Sequence, residues 1–131
     1  MYVLRPIAVC CFIVLVFDTV ASGISKISGI PYGWFFIPEC VMYVLFGAAL
    51  WRIIRNVRTT LGALLFPAVV ETTLGWAISA EIGPGRLPDN HLPLWPVLTV
   101  VVIITVVVAT LWNVMLGGLG IFIARRLADL K

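Results

Sequence analysis

One carboxyl group within an apolar stretch is the feature of this sequence that points most directly to chemistry. Glu71 lies near the middle of the apolar stretch 61–80, within FPAVVETTLGWAIS. If this stretch crosses a membrane, Glu71 lies near the bilayer midplane, where a charged side chain costs about 2.5–3.5 kcal/mol on insertion scales. Ionisable groups at that depth usually face a polar partner or a water-filled cavity. Pro67, four residues earlier, is expected to kink the helix and free a backbone carbonyl.

Two more acids, Asp18 and Glu39, lie within or near apolar segments. At about 1.5 Å per helical residue, Asp18 lies ~18 Å into the first segment and Glu39 ~8 Å into the oppositely directed second segment. In ~30 Å of hydrocarbon both acids would share the outer half, with Glu71 deeper. Such acids can carry protons or receive a cation. The alternative is that Asp18 and Glu39 lie at the interface and Glu71 is a protonated acid bonded to a neighbouring helix.

Two groups of residues could surround these acids. The candidate hydrogen-bond partners of Glu71 are Tyr43, Thr72, Thr73 and Asn113. The candidate helix-contact residues are small: Gly75 and Ser79, which share the face of Glu71, and Gly117 and Gly120 in the last segment. Small residues four apart let helix backbones approach closely, so we expect helix contacts here, within the bundle or between copies.

Four apolar segments must position these residues. The chain of 131 residues is 62% hydrophobic and 11% charged, whereas soluble domains are roughly 45–50% apolar and about 25% charged. The expected spans are 6–22, 34–54, 61–82 and 94–124. Hydrocarbon offers no hydrogen-bond partners, so the backbone N–H and C=O groups of a span must bond to each other. Even the β-branched run 100–108 is therefore expected to be helical. We predict an all-α, integral membrane four-helix bundle of two helical hairpins, forming one transmembrane domain over residues 1–131.

The distribution of basic residues predicts the orientation of the bundle. Arginines precede the first segment, connect the second to the third, and follow the fourth: Arg5, then Arg52, Arg55 and Arg58, then Arg125 and Arg126. The other two loops carry only Lys26 and Arg86. The positive-inside rule therefore places both termini in the cytoplasm of a multi-pass plasma-membrane protein, in the inner membrane if the source is bacterial. Trp34, Trp51 and Trp95 occupy positions expected for interfacial aromatic belts.

The sequence contains no recognisable catalytic or metal-binding motif. It lacks GxSxG, HExxH and phosphate-loop patterns, and its one histidine, His91, has no neighbouring ligands. Cys10, Cys11 and Cys40 have neither metal-site nor CxxC spacing. We therefore expect no enzyme activity, cofactor, metal site or nucleic-acid partner.

The N-terminal segment admits a second interpretation. Arg5, the apolar run to Phe17 and the small residues at 19–21 could form a cleaved signal peptide, although Asp18 is unusual there. Farther along, Gly23 and Lys26 give the first outer loop a GxxK spacing. This loop resembles that of DoxX-like proteins in turn composition alone, which implies no function.

Two hypotheses about function follow from these features. The first is a small accessory or structural subunit that acts through intramembrane helix contacts with itself or another membrane protein. The second is a proton- or cation-coupled transporter or channel for small solutes, with Glu71 as the central acid. Four helices barely enclose a path, so the second hypothesis predicts a homo-oligomer.

Overall fold

The regular structure of the described part of the chain is entirely helical. The computed structural model describes residues 3–85 and 95–130, with side chains from residue 99 onwards in the second range. The helices are α1 (Leu4–Ser28), α2 (Phe36–Ile54), α3 (Val57–Val70), α4 (Trp76–Ile82) and α5 (Trp95–Asp129). A 3₁₀-helix, Tyr32–Phe35, precedes α2, and a π-helix, Glu71–Gly75, joins α3 to α4. We call the continuous segment Val57–Ile82 the third span.

Within the residues that the structure describes, four helical segments are long and apolar enough to cross a membrane, which agrees with the number predicted from the sequence. They are Leu4–Ser28, Tyr32–Ile54, Val57–Ile82 and Thr99–Asp129. The first helix continues beyond residue 22, the predicted end of the span, to Ser28, and it ends at Gly29, whose φ of 71° suits glycine. The connection between α2 and α3 consists of Arg55 and Asn56 only. Arg55 ends α2 with φ of 58°, and the Asn56 side chain accepts the Thr59 N–H at 3.1 Å to begin α3.

The bundle is apolar outside and partly polar inside. Large apolar side chains are exposed along every span, among them Phe12, Leu45, Phe66 and Val108. The buried polar or charged residues are Asp18, Ser22, Thr60, Glu71, Ser79, Thr110 and Asn113. Lipid solvates the exposed apolar side chains, so this distribution suits a membrane-embedded bundle and concentrates the chemistry between the helices.

The helices do not pack as two separate hairpins, which corrects that part of the predicted fold. The helix α1 packs mainly against the third span and contacts its sequence neighbour α2 only slightly, whereas α2 packs most extensively against α5. Glycines make the second contact close. An added Cβ on Gly47 would collide with the Gly117 backbone, and one on Gly120 would collide with the Val44 carbonyl. Backbone approach between α2 and α5 therefore holds the two halves of the chain together.

The tryptophan belt predicted from the sequence fits only in part. Trp34 is exposed in the 3₁₀-helix, as an interfacial residue would be. Trp51 is buried instead, because it packs into the core cluster at the end of α2, with the Arg55 guanidinium 5.0 Å from its ring centroid. Trp95 begins α5, and its side chain lies outside the described residues.

The close contact between α2 and α5 gives a stability prediction. Gly120→Ala is expected to destabilise the bundle by about 1–3 kcal/mol, because the added methyl group must displace the α2 backbone. Gly62→Ala is the matched control, since nothing lies within 4 Å of its added Cβ. Thermal unfolding of purified protein in detergent measures both variants. Equal stability of the two variants would contradict the proposed contact.

Candidate functional site

The third span changes its helical geometry at the acidic residue. The Trp76 N–H bonds to the Glu71 carbonyl, five residues earlier, as in a π-helix. Sequence reasoning placed the distortion at Pro67, but the change in hydrogen bonding lies one turn later, and Pro67 itself is buried within α3. Both ends of the π-helix, Glu71 and Gly75, are buried. Such π-helical turns are frequent at functional sites.

The Glu71 carboxyl group connects three of the four spans. The Tyr43 hydroxyl from α2 and the Asn113 Nδ2 from α5 both donate to Glu71 Oε2, the latter at 2.7 Å. All three side chains are buried, with Tyr43 at 0% and Glu71 at 8% exposure. Two of the four partners considered from the sequence therefore bond Glu71 itself.

The two threonines after Glu71 bond elsewhere. The Thr72 hydroxyl donates to the Ala68 carbonyl at 2.9 Å and lies 3.1 Å from the Thr110 hydroxyl of α5. The Thr73 hydroxyl donates to the Val69 carbonyl at 2.6 Å. Thr72 therefore adds a polar contact between the third span and α5, whereas the hydroxyl of Thr73 bonds within its own helix.

A second carboxyl group reaches Glu71 from the start of α2. Glu39 is half-buried and lines the same cavity as Glu71. Two charged carboxylates in one buried space repel each other, so the pair is least costly when one of them carries a proton. The pair is thus suited to hold a single proton between two acids.

The third acid approaches the π-helix from α1. Asp18 is buried, and its Oδ1 accepts a hydrogen bond from the Tyr32 hydroxyl at 3.1 Å. Its other oxygen packs against Gly75, where an added Cβ would collide with the Asp18 carboxylate. Gly75 is needed here because it leaves room for an acid on the neighbouring helix.

One cavity of about 400 Å³ brings the three acids together. Asp18, Glu39 and Glu71 all line it, with Tyr32, Thr72, Ser79 and Asn113 as further polar residues. The α5 side of the cavity is largely apolar and includes Val101, Val102, Val106 and Ala109. Among the residues that the structure describes, no lysine, arginine or histidine lines it. The volume falls within the range of small-molecule sites, about 300–1,000 Å³.

An aromatic side chain from the start of α4 also lines the cavity. Trp76 lines it, and its Nε1 donates to the Gly85 carbonyl at 3.0 Å. Sequence reasoning favoured a packing role for Trp76 and did not single out Tyr32 at all. Tyr32 lies in a segment that reads as a loop, and no pattern in the sequence indicates that it reaches Asp18.

The other residues singled out from the sequence lie in separate places. Ser79 lines the cavity, whereas Gly117 and Gly120 lie in the contact between α2 and α5. The thiols of Cys10, Cys11 and Cys40 are free. His91 lies outside the described residues.

The cavity offers oxygen ligands and proton-carrying groups. Over the ranges described with side chains, no three histidine, cysteine, aspartate or glutamate residues are grouped so as to hold a metal ion. A carboxyl group that gives up its proton becomes a binding partner for a cation, and the Glu39–Glu71 pair supplies such a group within a buried, polar-lined space.

The Glu71 hydrogen bonds give a prediction about stability. Tyr43→Phe is expected to cost about 1–3 kcal/mol, because it removes a donor from a buried carboxyl group. A double-mutant cycle with Glu71→Gln should give non-additive free energies of unfolding, since the two side chains are in contact. Thr73→Val, which removes a hydroxyl that bonds only its own helix, should leave stability nearly unchanged. Additive effects in the cycle would contradict the contact.

Comparison with protein-family models found no match, and comparisons with curated proteins and with solved structures found none either. The function is therefore argued from the cavity and its residues.

Proposed function

We propose that this protein is a proton- or cation-coupled transporter of a small solute, with Glu71 as its central acid. One observation carries the proposal: carboxyl groups from three spans, those of Asp18, Glu39 and Glu71, line a single cavity. Intramembrane acids are costly, and those that face a cavity usually lie on a path for protons or ions.

The carboxyl pair supplies a simple exchange. In the resting state one of the two acids, Glu39 or Glu71, carries a proton. When a monovalent cation enters, the protonated acid releases its proton, and the cation binds to the resulting carboxylate. The charge of the site is the same before and after the exchange, so neither state leaves an additional uncompensated charge in a low-dielectric environment. The cavity would thus bind either a proton or a cation at one place.

Tyr43 and Asn113 would hold the central acid through this exchange. Both donate to Glu71 Oε2, so they stabilise that oxygen whether the other one carries a proton or faces a cation. Glu39 is less buried than Glu71 and lies in the first turn of α2. Glu39 would therefore pass protons or cations to Glu71.

The positions of the arginines support the orientation expected from the sequence. The antiparallel path of the spans brings the start of α1, the α2–α3 connection and the end of α5 to the same end of the bundle. Arg5, Arg52, Arg55, Arg58, Arg125 and Arg126 are exposed at these three places. We propose that this end faces the cytoplasm of a plasma membrane, which puts Asp18 and Glu39 in the outer half.

The accessory-subunit hypothesis has less support in this geometry. It relied on small-residue faces that could contact a partner, but Gly75, Gly117 and Gly120 lie in contacts within the chain. The cavity likewise forms within one chain, so a homo-oligomer is not needed to enclose the acids. That a homo-oligomer completes a path for the solute across the membrane stays a prediction. Under both hypotheses the protein is embedded in a lipid bilayer.

Neutralising the central acid should abolish coupled transport. In vesicles containing the purified protein and an internal pH indicator, external sodium, guanidinium or tetraethylammonium should drive proton release from the vesicles. Glu71→Gln should reduce this flux to the level of protein-free vesicles, because the side chain no longer exchanges a proton for a cation. Glu81→Gln is the control, since Glu81 is exposed and lies outside the cavity lining.

The result would favour an accessory role if the wild type and Glu71→Gln gave the same proton flux. In that case, copurification with another membrane protein would be the observation to seek.

Both termini are predicted to be cytoplasmic. A fluorescent protein that folds only in the cytoplasm should fluoresce when fused after Lys131, and alkaline phosphatase fused there should be inactive. The opposite pair of results would reverse the proposed orientation, and with it the side from which Asp18 and Glu39 are reached.

A further inference from the structure

Three buried oxygen atoms near the contact of α1 with the third span have no hydrogen-bond partner among the described residues. They are Asp18 Oδ2, Ser22 Oγ and Ser79 Oγ. Their side chains are 3%, 0% and 2% exposed. A buried polar atom without a partner costs about 1–3 kcal/mol, and native proteins contain few of them. Three such atoms in one region therefore require an explanation.

The fold places these residues where α1 packs against the third span. Asp18 and Ser22 are one turn apart on α1 and so share a helical face. On the opposite side Gly75 contacts Asp18 Oδ2, and Ser79 follows Gly75 by one turn. Asp18 and Ser79 both line the cavity. The Tyr32 hydroxyl, which donates to Asp18 Oδ1, also lies close to Ser22.

The chemistry of this group is that of a small, hard cation. Its available ligands are oxygens only: one carboxylate and two hydroxyls, with a phenol beside them. Hard cations prefer such ligands, and one carboxylate balances the charge of a monovalent ion. A water molecule could bond the two hydroxyls, but it would leave the buried carboxylate without a counter-charge.

We propose that Asp18, Ser22 and Ser79 form a binding site for a monovalent alkali cation, separate from the Glu39–Glu71 pair. Gly75 makes the site possible, because any side chain there would displace the carboxylate. The site faces the same cavity as Glu71, so an ion bound here would alter the field at the central acid. It does not depend on the proposed transport activity, since it rests on different atoms.

Thermal unfolding of the purified full-length protein in detergent tests this site with sodium as the probe. Sodium chloride should raise the Tm by a few degrees relative to choline chloride at the same ionic strength, because the ion binds the folded state. The shift should persist in Glu71→Gln, which removes the other proposed cation site, and it should disappear when Ser79→Ala or Asp18→Asn is added to Glu71→Gln. Ser28→Ala is the matched control, since Ser28 is exposed on α1 and its hydroxyl bonds the Ile24 carbonyl.

Three results would overturn the proposal. Equal Tm values in sodium and choline would show that no alkali cation binds. A sodium shift that survives when Ser79→Ala is added to Glu71→Gln would place the ion elsewhere, and one that is lost in Glu71→Gln alone would place it at the carboxyl pair. If Asp18→Asn does not fold, Ser22→Ala and Ser79→Ala still decide the question. A sodium shift without any coupled proton flux would refute the proposed transport and leave this site intact.

Discussion

The buried carboxyl group of Glu71 imposes the constraint on which the arrangement of the spans depends. Within hydrocarbon there is no water to satisfy it, so the protein must supply donors from elsewhere in the bundle. Tyr43 and Asn113 do so from α2 and α5, and the donor distance from Asn113 is 2.7 Å. One polar centre thereby fixes the relative rotation of three spans. With an apolar residue at position 71, the third span could face lipid equally well in many rotations about its axis. Such a residue would not favour one rotation over another.

Two kinds of helix contact stabilise the bundle, one between backbones and one between polar side chains. Glycines let α2 and α5 approach until their backbones touch, which gains dispersion energy along the contact. The contact of α1 with the third span is different, because the Asp18 carboxylate occupies the space that Gly75 leaves open. The first contact brings two backbones together, whereas the second contains polar side-chain atoms. The cavity forms beside this second contact.

The sequence predicts the number of spans, their helical character and the importance of Glu71, because these depend on composition and on a rare residue in an apolar run. It also identifies Tyr43 and Asn113 as possible partners, since polar side chains in apolar helices are few. It does not predict that α1 packs only slightly against α2, because helix pairing depends on three-dimensional fit rather than on order along the chain. It likewise misses Tyr32, whose contact with Asp18 depends on how the 3₁₀-helix directs the chain. It also does not predict that the Trp51 ring packs into the core, because depth in a membrane does not determine which way a ring faces.

The π-helix lets the third span contain one more residue than a regular α-helix of the same path. A wide π-turn holds the additional residue within a single turn. Removing one residue between Glu71 and Gly75 would therefore restore regular hydrogen bonding while α4 kept nearly the same rotation relative to α3. Trp76 and Ser79 would still face the acids, and the change would fall on the positions between Glu71 and Gly75. A related protein with one fewer position here would keep the α4 side of the cavity, and its alignment with this chain would show a one-residue gap within the turn.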